Sequence, residues 1–161
     1  MALETLLPEL RAYARSLAKN PHDSEDLVQD AIERALRSEN CPTPVQDLRP
    51  WMFRVIRNLH LDELRKRRVR MEYSTAQKRL SSDLMQAGDH ADGVALRMTF
   101  ETLPAQMREV LFLVDVMGMK YAEAAAIMDV PHGTVMSRVS RARRTLIDAM
   151  QAGPDRADKD K

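Results

Sequence analysis

Only three residues, Asp129-Val130-Pro131, separate two helical patterns near the end of this chain. Upstream is YAEAAAIM (121–128), and downstream is HGTVMSRVSRARRTLIDAM (132–150). A turn that short forces the two helices to pack on each other directly, and the alanines of the first allow a close crossing. Wound at about 100° per residue, Val135, Val139, Ala142 and Leu146 fall within about 80° of each other and must face the core. Ser137, Ser140, Arg141 and Arg144 fall within about 100° on the opposite side. The spacing is that of a helix-turn-helix. Its outer face offers hydroxyls to bases or phosphates and guanidiniums that read guanine with two hydrogen bonds. Arg138 and Arg143 flank that face and suit phosphates. Gly133 and Thr134 sit at the helix start, where free N–H groups attract phosphate.

Charge is distributed to match. The net charge is only +1 over 161 residues. Yet residues 131–145 carry four arginines and no acid, and residues 49–71 carry eight basic and two acidic side chains. The rest of the chain is acidic on balance. Compact basic segments in an acidic background mark a phosphate-binding surface. The second basic segment, WMFRVIRNLHLDELRKRRVR (51–70), repeats the logic of the first. Arg54, Arg57, Asn58, Arg65 and Arg68 lie within about 100° on a helical wheel, opposite Met52, Val55, Ile56 and Leu59. Trp51 and Phe53 are large enough to stack on a base, although Trp51 also suits a core.

Apolar spacing of three and four predicts helices elsewhere, and no alternating strand pattern competes. The first helix is expected from about Leu3 to Lys19, with Leu3, Leu6, Leu7, Leu10, Ala14 and Leu17 as its stripe. Asn20-Pro21 ends it. A second starts near Asp23 or Ser24, either of which can cap, and carries Leu27, Val28, Ala31, Ile32, Ala35 and Leu36. Residues 38–50, with three prolines, read as a loop with room for a short helical turn. Pro50 fits the first position of a helix that continues to about Arg70. Residues 72–98 are polar, hold two glycines and lack a sustained stripe, which reads as a linker that is at most partly helical. Pro104 starts the next helix, and Gly118 suits its C-cap. The fold class is all-α, with two small helical domains on a flexible linker. The domains are expected at 1–71 and 99–150, with a disordered tail at 151–161.

Three strings occur in order: DSEDLVQD (23–30), PWMFRVIRNLHLDELRKRR (50–68) and LPAQMREVLFLVDVMGMKYAEAAAIMDVPHGTVMSRVSRARRTL (103–146). Together they resemble the extracytoplasmic-function sigma factors of bacterial RNA polymerase. The resemblance implies a region 2 domain that binds core polymerase and the −10 element, and a region 4 helix-turn-helix that binds the −35 element. It assigns core binding to Glu25, Asp26, Leu27, Val28, Gln29 and Asp30. It assigns −10 contacts to Asn40, Arg54, Arg57, Asn58, Arg65 and Arg68, with Gln46 and Asp47 also in the loop that would capture a flipped base. It assigns −35 contacts to Gly133, Thr134, Met136, Ser137, Arg138, Ser140, Arg141 and Arg144. Met136 departs from the basic residue usual after GTV, which bears on −35 preference. An anti-sigma protein is the further partner the resemblance implies.

Other classes fit less well. The four histidines, His22, His60, His90 and His132, have no ligand spacing, and Cys41 is alone, so neither a metal nor another cofactor is expected. No Gly-rich phosphate loop or nucleophile elbow suggests an enzyme. A stand-alone helix-turn-helix regulator would explain residues 103–150 but neither DLVQ nor the second basic helix. An adaptor that binds an anti-sigma protein and little DNA would not need the basic faces. No apolar run approaches the ~18 residues of a membrane span. The N-terminus carries acids rather than a basic secretory n-region, so a cytoplasmic protein is expected without membrane contact of its own.

Overall fold

A computed structural model describes residues 2–73 and 91–152 of the chain. They divide into two compact units, and every regular element among them is helical. The all-α reading with two helical domains therefore holds. Residues 74–90 of the expected linker and 153–161 of the expected tail lie outside the described residues.

The first unit is a bundle of α1 (Ala2–Leu17), α2 (Pro21–Arg37) and α3 (Val45–Tyr73), each packed on the other two. The expected stripes supply most of its core: Leu6, Leu10 and Ala14, then Leu27, Val28, Ala31 and Ala35, then Met52, Val55 and Ile56. Two aromatics complete it. Tyr13 and Phe53 are fully buried and stack with ring centroids 4.7 Å apart. Phe53 is thus committed to the core and cannot stack on a base, while Trp51 is half-buried. The Arg49 guanidinium covers Phe53 at 5.8 Å from the ring centre and donates to Glu9 Oε2 at 2.6 Å. That contact ties the start of α3 to α1 and adds a cation–π attraction.

Two helix starts differ from the sequence expectation. Asn20, not Asp23 or Ser24, caps α2, its side-chain oxygen accepting the Asp23 N–H at 2.9 Å. Pro21 follows at the first helical position, where its missing N–H costs nothing. Ser24 is buried, and its hydroxyl donates to the Pro21 carbonyl. α3 begins at Val45 rather than Pro50, so Pro50 lies inside it. The Pro44 carbonyl accepts from both Asp47 and Leu48 and nucleates the extra turn. Burial explains why this turn forms: Leu48 is only 3% exposed and extends the Met52 stripe by one helical repeat.

The second unit comprises α4 (Ala91–Thr102), α5 (Ala105–Leu111), a π-helical turn (Phe112–Val116), α6 (Tyr121–Met128) up to Ala125, and α7 (His132–Ala152), residues 126–129 being grouped with the first unit. Residues 91–98 are the helical part of the stretch expected as a partly helical linker, and α4 packs against α7. Its exposed face is apolar in part, with Val94, Leu96 and Met98, which hid the amphipathic pattern. α5 packs on α7 through a core that includes Val110, Leu113, Val135, Val139 and Ala142. Gly118, with φ +66°, turns the chain after the π turn as its C-cap assignment requires. Asp129 takes the other left-handed position, φ 54°, in the short turn. Aspartate tolerates that conformation better than most side chains.

Two substitutions test this packing. Phe53→Ala is expected to destabilise the first unit by ~3–5 kcal/mol through the cavity left against Tyr13. Asn20→Ala is expected to cost ~1 kcal/mol through loss of the cap. Urea unfolding followed by circular dichroism measures both.

Candidate nucleic-acid and polymerase interfaces

α7 presents its residues as the helical wheel requires. Val135, Val139 and Ala142 are no more than 1% exposed, so Ser137, Ser140, Arg141 and Arg144 stand in solvent. The side chains of Arg138, Arg141 and Arg144 take part in no ion pair among the described residues. The Ser137 hydroxyl rests on the Thr134 carbonyl at 3.1 Å and keeps two lone pairs for a ligand. Met136 is half exposed. At the helix start, the Thr134 N–H already donates to the Pro131 carbonyl at 3.0 Å. Of the Gly133–Thr134 pair, only the Gly133 amide is therefore open to phosphate. His132 is exposed, with its ring 6.0 Å from that of Tyr121.

Arg143 behaves differently. It was expected to flank the DNA face, but it reaches Asp115 in the π turn with two hydrogen bonds, Nε to Oδ2 at 3.0 Å and Nη2 to Oδ1 at 2.5 Å. Asp115, with a smaller contribution from Tyr121, further favours its charged form.

The basic end of α3 is largely neutralised by its own unit. Arg65 pairs with Asp62 at 3.0 Å and Arg68 with Glu72 at 3.5 Å. Arg67 bridges to Asp23 of α2 at 2.7 Å and to Glu63 at 3.2 Å, and Arg70 also reaches Glu63. Hydrogen bonding by Arg67 holds the Glu63 carboxyl below its ordinary value. Asp23 is the main cause that keeps Arg67 charged. Arg54 and Asn58 are exposed on the same helix, with Arg57 half-buried beside them. Asn40 is exposed in the preceding loop, where its N–H donates to the Ser38 hydroxyl. Exposed Gln46 and Asp47, expected in that loop, belong to the first turn of α3.

The DLVQ string is split by burial. Leu27 and Val28 are 8% and 3% exposed and serve the core of the first unit. An α-helix cannot turn these two inward without turning Glu25, Asp26, Gln29 and Asp30 outward, and all four are exposed. Glu25 lies within ion-pair distance of Arg11 and Arg15, and Asp26 is 3.1 Å from His22 Nδ1. A backbone hydrogen bond, then the Asp26 carboxylate, raises His22 above its ordinary value of 6.5.

With this geometry in place, the comparisons with known proteins are decisive. The sigma-70 region 2 family model matches residues 2–70, and the sigma-70 region 4 model matches residues 93–146. The ECF RNA polymerase sigma factor EcfG of Rhodopseudomonas palustris is 39% identical over 142 residues, covering 87% of this chain and 78% of that protein. This chain belongs to the extracytoplasmic-function sigma factors. Sigma factor RpoE of Bartonella quintana, solved in complex with the anti-sigma factor NepR, superposes with a TM-score of 0.80 at 32% identity. That match covers 94% of this chain and 95% of RpoE. CnrH, solved with the cytosolic domain of CnrY, gives a TM-score of 0.65 at 26% identity over 94% of this chain and 86% of its own. The protein is thus an alternative sigma factor, which joins RNA polymerase core and directs promoter-specific initiation. A stand-alone regulator is set aside, because the region 2 match covers residues 2–70, nearly all of α1, α2 and α3. Among the described residues, no helix is long and apolar enough to cross a membrane.

The His22–Asp26 pair carries a pH signature. Because the folded value is raised, its contribution to stability is complete below the unfolded value of about 6.5 and is lost as pH rises through the raised folded value. NMR titration of the imidazole is expected to give a midpoint above 6.5, lowered in Asp26→Asn.

Proposed function

We propose that the two units of this sigma factor divide promoter recognition, region 2 at about 1–71 and region 4 at about 99–150, extended to include α4. The region 4 unit reads the −35 element through Ser137, Ser140, Arg141 and Arg144 of α7. Arg138 and the Gly133 amide hold phosphates beside them. The region 2 unit binds core polymerase through the exposed edge of α2, namely Glu25, Asp26, Gln29 and Asp30. It meets the −10 element through Asn40, Arg54, Arg57 and Asn58, with Arg65 and Arg68 released from their carboxylates to phosphates. The observation that carries this division is charge compensation. Arg138, Arg141 and Arg144 have no carboxylate partner among the described residues, whereas Arg65, Arg67, Arg68 and Arg70 each have one. An uncompensated guanidinium is available to a base edge or phosphate without first breaking a pair.

The protein acts by recruitment and catalyses no covalent step of its own. It works in the cytoplasm, where its polymerase is. An anti-sigma protein controls it by covering these surfaces, a reading supported by the complexes in which RpoE and CnrH were solved.

The test is transcription with purified protein, sigma-free core polymerase and a library of promoter fragments. Defined start sites downstream of a shared two-block motif are expected, and they give the cognate −35 sequence. Arg141→Ala is expected to weaken discrimination between that sequence and a scrambled one by ~1–3 kcal/mol. An equal loss on both DNAs would remove Arg141 from base reading. Asp26→Ala and Gln29→Ala are expected to lower core affinity in a pull-down while circular dichroism stays unchanged. Wild-type core binding by both variants would refute the α2 assignment.

A further inference from the structure

Four arginines lie within seven residues of α7, and one is occupied unlike the others. Arg143 points 28 residues back along the chain to Asp115 and engages both carboxylate oxygens. A guanidinium fork on a carboxylate has a fixed plane, so the pair constrains direction as well as distance. Asp115 reaches this position from the π turn Phe112–Val116. A π turn widens the helix locally and rotates the side chains beyond it relative to an uninterrupted α-helix. The wider turn is evident in the Met117 N–H, which donates to the Phe112 carbonyl five residues back. Tyr121, at the start of α6, is the third member of the cluster. On the helical wheel Arg143 lies about 130° from the centre of the Ser137–Arg141–Arg144 face, next to the buried Val135–Val139–Ala142 stripe. It is therefore on the flank of α7, where a lever acts on helix rotation.

We propose that Arg143 is a positioning residue that sets the rotation of the recognition helix by its two-pronged bond to Asp115. On this account Arg143 does not contact DNA. Val135, Val139 and Ala142 hold α7 against the core, but a smooth apolar stripe tolerates several degrees of roll. The Arg143–Asp115 fork removes that freedom and so aims Ser137, Arg141 and Arg144 together. Both partners are about half exposed in their side chains, so the pair adds little to stability. Its effect is on geometry and hence on discrimination.

The inference rests on the −35 reading of α7 and is tested with holoenzyme and two DNAs, the −35 sequence selected in the library assay and its scrambled version. Asp115→Ala and Arg143→Ala are each expected to lower the cognate-to-scrambled affinity ratio roughly tenfold, by misaiming bidentate base contacts. The double variant is expected to lose no more than either single one, because the two residues act as a unit. The salt slope is expected to stay that of the wild type. Arg143→Lys keeps the charge but not the fork, and is expected to behave like Arg143→Ala.

A direct phosphate contact predicts the reverse. Arg143→Ala would then reduce the salt slope by about one, Arg143→Lys would bind nearly as wild type, and Asp115→Ala would tighten binding to both DNAs. Any of these three results overturns the proposal. Residual dipolar couplings of the α7 amides in the full chain without DNA report the helix's rotation and are independent of the −35 reading. Asp115→Ala is expected to change the α7 couplings relative to those of α5, and wild-type couplings in that variant also overturn the proposal. Failure of the wild type itself to discriminate the two DNAs would instead count against the −35 reading, leaving the couplings to decide the role of the pair.

Discussion

A guanidinium leaves water only at great cost unless a carboxylate meets it, and this constraint shapes both units. In α7 the arginines share a helix with Val135, Val139 and Ala142. Burying those three on α5 drives Arg141 and Arg144 to the opposite side, facing solvent. The recognition face is thus a by-product of core packing. In α3 the arginines also stay at the surface, but there they pair with neighbouring carboxylates. The DELRKRR run brings its own carboxylates at helical spacing, and Asp23 of α2 supplies one more for Arg67. One surface is left charged and open, and the other is held partly closed by its own acids.

This difference has a mechanistic consequence. On the proposed assignment, Arg138, Arg141 and Arg144 engage DNA without first breaking a pair, and their contribution to affinity weakens with salt through counterion release. Arg65 and Arg68 must exchange a carboxylate for a phosphate, so their net contribution is smaller. The proposed division thus pairs open cations on the −35 side with compensated ones on the −10 side. The exposed edge of α2 fits the same scheme. Leu27 and Val28 anchor the helix inward, and Glu25, Asp26, Gln29 and Asp30 form the exposed polar edge proposed to meet core polymerase.

Much of this was legible in the sequence, for a physical reason. Helix existence and facing depend on local spacing, and the stripes of α1, α2, α3 and α7 are regular enough to identify their buried sides without coordinates. The helix-turn-helix is similarly local, since a three-residue turn leaves little choice of packing. Helix starts were less legible. Asn20 caps α2, and α3 reaches back through Pro50 because Leu48 gains a buried site, which a rule about proline alone does not foresee. Helix α4 was legible only as part of a partly helical stretch, because what holds it is α7, some forty residues distant in sequence.

Residue order alone sets which faces are apolar, which are cationic, and the succession of the three strings that mark an extracytoplasmic-function sigma factor. It does so because these properties follow from side-chain chemistry and the 3.6-residue period. Which charges are free and which are paired follows instead from how the helices pack. Arg141 and Arg143 are indistinguishable by chemistry and nearly adjacent, yet one faces solvent and the other grips Asp115. Pairing of that kind depends on how distant segments meet, through the π turn in the second unit and the α2–α3 packing in the first.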